Sequence, residues 1–192
     1  MNLISNTCAG AIVYRDYFKS PYNNPFCWNF IDAENYYTLI TNFETINFSN
    51  YDLIRKDDWK FYIKIDNLVT VYYPHYRFSK YYDKVTQIKN DVFYNKIWKY
   101  IVEKYESRAK RMMTLHETPL FIVGSTNKGQ LYSKGQLNKF FNITNKKLFI
   151  FTKEPPATIP TNITVIEEFD YDYSNKNAAR IIYSLIEGGG IQ

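Results

Sequence analysis

Apolar and polar positions alternate along this chain in patterns that predict both strands and helices. The apolar pair Leu3 and Ile4 predicts a short strand, and a polar turn follows it. A helix is predicted next, from about Cys8 to Phe18. Asp32 is a candidate N-cap for a second helix, Ala33 to about Asn42, because its carboxylate can accept a hydrogen bond from a first-turn N–H. The N-terminal part therefore predicts one strand and two helices.

The middle of the chain predicts a β-hairpin and one long helix. Two apolar segments, Phe61–Ile65 and Leu68–Tyr73, flank Asp66 and Asn67, which are residue types that favour a tight turn. The strongest helical pattern follows, from about Asp91 to Leu115. Its apolar positions recur at helical spacing and are predicted to be core residues: Ile97, Ile101, Tyr105, Ala109 and Met112.

The C-terminal part alternates short apolar strands with helices. Strands are predicted at 120–124, 148–151 and 163–166, and helices near Lys134–Phe141 and from about Asn175 to Ile186. Strands that alternate with helices are typical of a three-layer α/β domain. We therefore expect a single α/β domain over residues 1–192, with a mostly parallel, Rossmann-like sheet and a β-hairpin excursion.

Composition narrows the class of protein without identifying a function. Hydrophobic residues make up 45% and charged residues 22% of the chain, as in a globular protein. The abundance of Tyr, Asn, Lys and Ile suggests an AT-rich genome, such as that of a low-GC bacterium or a large DNA virus. The two cysteines form no disulfide framework, and neither a signal segment nor a membrane-spanning apolar run is evident. We expect the cytoplasm as the location, bacterial or, for a viral protein, that of the host.

The net charge of +5 is concentrated on the long predicted helix, where a solvated face accounts for it. The chain has no nucleic-acid motif, and its aromatic residues are interleaved with aliphatic ones as in a core, so nucleic-acid binding is disfavoured. An acidic small molecule, such as a nucleotide-sugar or coenzyme A, is compatible with this charge. No metal site is predicted, because Cys, His and Asp residues do not occur at ligand spacing.

Cys8 is the leading candidate for chemistry. It is predicted at the N-terminus of a helix, just after a strand, where free N–H groups and the helix dipole favour a thiolate or hold an anion. The alternative is that Cys8 is a small buried hydrophobic residue, which is common for free cysteine.

Ligands of open α/β sheets bind at the carboxyl ends of the strands, and this rule nominates the polar turns there. The turn before Cys8 contributes Ser5, and the turn after the strand at 120–124 contributes Gly124, Ser125 and Asn127 as substrate-binding candidates. A third such loop is 152–156. The chain has no P-loop or dinucleotide fingerprint, and the alternative for the second turn is a plain connection.

A cysteine nucleophile needs a base within hydrogen-bond reach. His75 lies at the end of the second hairpin strand, whereas His116 follows the long helix, so we favour His75 as the partner of Cys8. A structural role for His75 is the alternative. Asp57, Asp58 and Asp66 are candidates to orient it.

The segments Ile4–Gly10 and Ser20–Phe26 resemble a bacterial and viral family of exopolysaccharide biosynthesis proteins whose activity is unknown. Tyr73–Tyr76 and Tyr105–Arg111 continue the resemblance in the same order. The chain is also similar to a related group named papain-like cysteine peptidases, which share a Pro-Phe-x-Trp segment, here Pro25–Trp28. The resemblance extends from about Leu3 to Ile166 and implies an α/β domain encoded near glycan or capsule genes.

Three functions are compatible with these residues. The leading hypothesis is a glycan biosynthesis or modification enzyme that transfers an acyl group, with Cys8 as nucleophile, His75 as base and Asn6 at the oxyanion. Capsule acetyltransferases that bind coenzyme A have an Asn-Cys turn after a strand, although Thr7 separates Asn6 from Cys8 here. The alternatives are a cysteine peptidase or amidase, and a non-catalytic module that binds a sugar or nucleotide-sugar. No cofactor is required; coenzyme A and a nucleotide-sugar are the candidate ligands.

Overall fold

The computed structural model of this chain describes residues 1–56, 60–73, 91–115, 117–124, 132–166 and 175–188. The strands are β1 (Leu3–Ser5), β2 (Tyr51–Lys56), β3 (Lys60–Ile65), β4 (Val69–Tyr72), β5 (Leu120–Val123), β6 (Lys147–Phe151) and β7 (Ile163–Ile166). The helices are α1 (Ala9–Ile12), which continues as a π-helical segment (Val13–Phe18), α2 (Ala33–Thr41), α3 (Asp91–Thr114), α4 (Lys134–Phe141) and α5 (Asn175–Glu187).

These strands form two sheets. A parallel sheet has the order β1-β5-β6-β7, and an antiparallel sheet has the order β2-β3-β4. In the parallel sheet Leu3 lies opposite Leu120, and Leu120 lies opposite Lys147. The carboxyl ends of the parallel strands therefore share one edge, which is where open α/β sheets bind ligands.

Both faces of the parallel sheet are buried, as expected for parallel strands. Along β5 the side chains alternate between two core clusters: Leu120 and Ile122 belong to one, Phe121 and Val123 to the other. The first cluster joins the sheet to α1 and α5, and the second joins it to α2, α3, α4 and the inner face of the antiparallel sheet. The parallel sheet is therefore the middle of three layers.

Local sequence signals account for several element boundaries. The Asp32 carboxylate caps α2 by accepting a hydrogen bond from the Asn35 N–H at 3.0 Å. Ser133 and Gln136 form a reciprocal capping box at the start of α4. Asp66 and Asn67 adopt left-handed φ angles of 49° and 56° between β3 and β4. Asn and Asp tolerate that conformation better than most residues, so the hairpin turn forms where the sequence predicts it.

The predicted α/β class is confirmed, with a mostly parallel sheet, a separate antiparallel sheet and helices. The narrower expectation of a Rossmann-like arrangement stays a prediction, as does the single-domain assignment. One strand was missed: β2 pairs with β3 along its whole length, from Tyr51 opposite Ile65 to Lys56 opposite Lys60. The antiparallel sheet is thus wider than the predicted hairpin.

Candidate functional site

The turn from Ser5 to Cys8, here named the thiol turn, is closed by its own hydroxyl groups. The Thr7 N–H donates to Ser5 Oγ at 3.2 Å, and the Ala9 N–H donates to Thr7 Oγ1 at 3.3 Å. Gly10 allows close approach here, because a Cβ at that position would lie 3.1 Å from the Ser5 Cβ. Some polar groups of the thiol turn are therefore engaged in hydrogen bonds that hold α1 against β1.

Cys8 occupies the N-cap position of α1, and its thiol does not cap the helix. Its carbonyl accepts a hydrogen bond from the Ile12 N–H at 3.1 Å. The side chain is only 3% exposed, and burial raises the pKa of the thiol to about 12. Burial therefore opposes the thiolate that the sequence predicts at the helix N-terminus, because a charged sulfur loses its solvation there. At neutral pH this raised pKa favours the protonated thiol.

Asn6 joins the thiol turn to the end of β5. Its Oδ1 accepts a hydrogen bond from the Gly124 N–H at 2.8 Å, and its Nδ2 donates to the Gly124 carbonyl at 3.2 Å and to the Tyr132 hydroxyl. That hydroxyl donates to the Ile31 carbonyl at 3.0 Å. Asn6 is 1% exposed, and both hydrogens of its amide are used. In this state the side chain ties two sheet-edge segments together, and it has no amide hydrogen left for an oxyanion.

Only some of the predicted site residues lie in the part of the chain that the structure describes. Ser5, Asn6, Cys8 and Gly124 are described, and among them Asn6 and Gly124 contact each other directly. Of the other candidates, Asp66 lies in the hairpin turn, whereas the rest lie outside the described residues: His75, Ser125, Asn127, His116, Asp57 and Asp58. The pairing of His75 with Cys8, and the site itself, stay predictions.

A short segment, residues 30 and 31, connects the two sheets. Phe30 exchanges two backbone hydrogen bonds of 2.9 Å with Tyr72, at the antiparallel sheet. The next residue, Ile31, donates its N–H to the Asn6 carbonyl at 3.1 Å, at the parallel sheet. Residues 30 and 31 are therefore the seam between the sheets.

An open cleft of about 260 Å³ lies along this seam. We call it the seam cleft. Three half-buried aromatic side chains, Phe30, Tyr62 and Tyr72, line it and form what we call the aromatic row. The Tyr62 and Tyr72 rings have centroids 5.0 Å apart and an interplanar angle of 30°. The remaining lining residues are Asn6, Ile31, Asp32 and Thr70.

Two polar residues of the seam cleft, Asp32 and Thr70, are hydrogen-bonded to Asn35, which lies outside it. Asn35 donates its N–H and its Nδ2 to the Asp32 carboxylate at 3.0 and 2.7 Å. The Asn35 Oδ1 accepts a hydrogen bond from the Thr70 N–H at 2.6 Å. Asp32 stays exposed and retains acceptor capacity, because a carboxylate has about four lone-pair sites. The seam cleft thus combines aromatic surface with a positioned carboxylate and a hydroxyl.

Sequence reasoning missed this site. The alternation along β3 and β4 holds part of the signal, because Tyr62 and Tyr72 occupy the face opposite to the buried Ile63 and Val71. The pairing of Phe30 with Tyr72 has no local signal, since the two residues are far apart in the chain. Only the assembled fold brings the row together.

In comparisons with known proteins, no family model and no curated protein sequence matches this chain. Among the described residues, no helix has the length and apolar character needed to cross a lipid bilayer. Within the same residues, no group of three or more His, Cys, Asp or Glu side chains is arranged to hold a metal ion.

Proposed function

We propose that this chain binds a glycan-type ligand, a sugar, in the seam cleft. The observation that carries the proposal is the aromatic row beside the Asp32 carboxylate and the Thr70 side chain. Binding sites for small molecules combine aromatic and apolar walls with a few placed polar groups. The seam cleft has both components.

The chemistry of a sugar ring fits this combination. Its C–H faces are apolar and pack on aromatic rings, whereas its hydroxyl groups need hydrogen-bond partners. Tyr62 and Tyr72 supply rings, and Asp32 supplies acceptor oxygens at the rim. The resemblance to exopolysaccharide biosynthesis proteins supports the same ligand class. A reducing cytoplasm is part of the proposal, because neither Cys8 nor Cys27 is in a disulfide.

The test is isothermal titration calorimetry of the full chain with maltose, cellobiose and lactose. We expect at least one disaccharide to bind and the Tyr72→Ala variant to weaken it about tenfold, because the ring loses its stacking contact. Tyr62→Ala is a second variant with the same expected direction. The matched control is Tyr17→Ala, since Tyr17 is half-buried against Tyr183 at 4.7 Å and lies outside the seam cleft.

Two results would overturn this proposal. One is the absence of binding to all three disaccharides at about 10 mM, where even a Kd of about 1 mM gives near-complete occupancy. The other is an equal loss of affinity in Tyr72→Ala and Tyr17→Ala, which would mean that the aromatic row is not the binding surface.

Acyl transfer through Cys8, with His75 as the base, is the second candidate, and hydrolysis by the same pair is a variant of it. The observation in its favour is that Cys8 directly follows the carboxyl end of β1, the ligand-binding edge of such sheets. Its burial and raised pKa oppose it. Iodoacetamide labelling at neutral pH tests it: a thiol with a pKa of about 12 instead of 9.0 should react roughly a thousandfold more slowly than a model thiol. Labelling faster than the model thiol would restore acyl transfer as the leading function.

A further inference from the structure

A second cleft, of about 460 Å³, lies between the N-terminal half of the chain and α3. We call it the cationic cleft. Its volume is within the roughly 300–1,000 Å³ of small-molecule sites. None of its lining residues lines the seam cleft: Pro21, Tyr22, Trp28, Tyr100, Lys104, Ser107, Arg108 and Arg111.

Arg108 is the most buried of its cations, with 6% exposure. Its Nη1 donates to the Cys27 carbonyl at 2.9 Å, and its guanidinium lies 5.0 Å from the centroid of the Tyr22 ring. Among the described residues, the bond to the Cys27 carbonyl is the one hydrogen bond of the Arg108 guanidinium, which has five N–H donors. A solvated helix face does not explain a cation in this position, because Arg108 is largely withdrawn from water.

Two further cations converge on the same cleft. Lys104, Arg108 and Arg111 follow helical spacing along α3, so they share one face. Arg111 is oriented by two hydrogen bonds, from Nε to the Tyr22 carbonyl at 2.9 Å and from Nη1 to Ser107 Oγ at 2.7 Å. The ion pairs found among the described residues involve other cations. Three positive charges thus border one cavity without a carboxylate among the residues that line it.

Aromatic rings form the rest of the wall. Trp28 has a left-handed φ of 68°, an uncommon conformation for so large a side chain. Its ring lies edge-on to Tyr22, with centroids 6.1 Å apart, and Arg15 lies 5.1 Å from its centroid. Tyr100 is 44% exposed, and the Lys104 ammonium is 5.3 Å from its ring. The cationic cleft therefore offers flat aromatic surface next to concentrated positive charge.

We propose that the cationic cleft binds a nucleoside diphosphate. The diphosphate would contact Lys104, Arg108 and Arg111. The planar guanidinium of Arg matches the geometry of phosphate oxygens. Three cations also suit a ligand with several negative charges better than a ligand with a single carboxylate. The base would pack on the Trp28 and Tyr100 rings, which any planar heterocycle can do. The proposal uses no residue of the seam cleft and stands or falls separately from sugar binding.

The test is calorimetric titration of the full chain with UDP and with ADP, with pyrophosphate and uridine as separate arms. We expect a nucleoside diphosphate to bind with a Kd below about 1 mM, and pyrophosphate and uridine to bind at least about tenfold more weakly. In the double variant Lys104→Gln/Arg111→Gln we expect about a tenfold loss of affinity. Lys104 is half-buried and Arg111 is exposed, whereas Arg108 is left unchanged because it is buried and its bond to Cys27 supports the fold.

The matched control is Lys99→Gln/Lys110→Gln, which removes the same charge from exposed positions of α3 outside the cleft. Its affinity should stay within about twofold of the unchanged chain. Failure of both nucleotides to bind, or an equal loss in the two double variants, would overturn the proposal. Pyrophosphate binding as tightly as UDP and ADP would also overturn it, because the rings would then contribute nothing.

Discussion

Asn6 belongs to the thiol turn and also lines the seam cleft, yet the polar groups of these two regions differ in burial and hydrogen bonding. At the thiol turn Ser5, Thr7 and Asn6 bond to nearby groups of the chain, and Cys8 is withdrawn from water. At the seam cleft Asp32 is exposed, and the half-buried aromatic row lines the cleft. The residue types associated with catalysis are concentrated in the first region, whereas the groups accessible to a ligand are in the second.

This difference shows how burial decides which residues are available for chemistry. A thiol next to a helix N-terminus has a lowered pKa only if water or a counter-charge stabilises the thiolate. For Cys8, burial raises the pKa of the thiol to about 12. A hydroxyl or carboxylate at an open cleft keeps its acceptor sites for a ligand. The described contacts of the thiol turn support the fold, its catalytic role stays a prediction, and we propose ligand binding for the seam cleft.

The largest expected effect is the loss of the Asn6 side chain. Replacing Asn6 with Leu removes the hydrogen bonds to Gly124 and Tyr132 and leaves buried backbone and hydroxyl groups unpaired. We expect the free energy of unfolding to fall by about 3–5 kcal/mol, measured by urea denaturation. The control is Asn145→Leu at an exposed position, where a change within about 0.5 kcal/mol is expected. Equal stabilities of the two variants would contradict a structural role for Asn6.

A second expected effect is loss of stability at alkaline pH. The pKa of Cys8 is about 12 in the folded chain, above its ordinary value of 9.0, so the folded state holds the proton more tightly. The contribution of this neutral thiol to stability is complete below pH 9 and is lost progressively as the pH rises towards 12. The loss should be about 1.4 kcal/mol per pH unit in that interval.

Comparison with a Cys8→Ala variant separates this effect from that of other titrating groups. Cys27 is one of these groups, because burial raises its pKa to about 12 as well. Between about pH 8 and about pH 10.5, the unchanged chain should lose about 2 kcal/mol more stability than the variant. Parallel pH profiles for the two proteins would mean that Cys8 already ionises in the folded state. That outcome would support a catalytic role for Cys8 in the thiol turn.

The smallest expected effect on stability is at the aromatic row. Tyr62 is half-buried and contacts Tyr72 across the strands, a pair worth about 0.2–1 kcal/mol. We expect Tyr62→Thr to lower the free energy of unfolding by no more than about 1 kcal/mol, because Thr suits a strand. A loss as large as that of Asn6→Leu in urea denaturation would show that the row is part of the core and remove the contrast between the two regions.

Much of the fold follows from local sequence signals. The helix α4 has the predicted bounds, Lys134–Phe141, because Ser133 and Gln136 cap it locally. The hairpin follows from Asp66 and Asn67, which tolerate left-handed backbone angles. Strand β2 escaped prediction because its sequence lacks a clear alternation, and its pairing partner β3 stabilises it. Local patterns thus predict elements whose stabilising contacts are near in sequence.

The candidate site depends on contacts that local patterns do not contain. The sequence identified Ser5, Asn6, Cys8 and Gly124 as lying at the carboxyl edge of the sheet, and Asn6 does bond to Gly124. Their hydrogen bonding and burial depend on Tyr132 and the surrounding core, which periodicity does not specify. A residue type indicates chemistry that is feasible, whereas its solvation in the fold decides whether that chemistry is available.

The most direct test of the ligand site is amide chemical-shift mapping by NMR with the tightest-binding disaccharide among maltose, cellobiose and lactose. We predict that the largest shifts occur at Phe30, Thr70 and Tyr72, which line the seam cleft. Shifts that are largest across residues 5–8, with the aromatic row unaffected, would contradict the account and assign the ligand to the thiol turn.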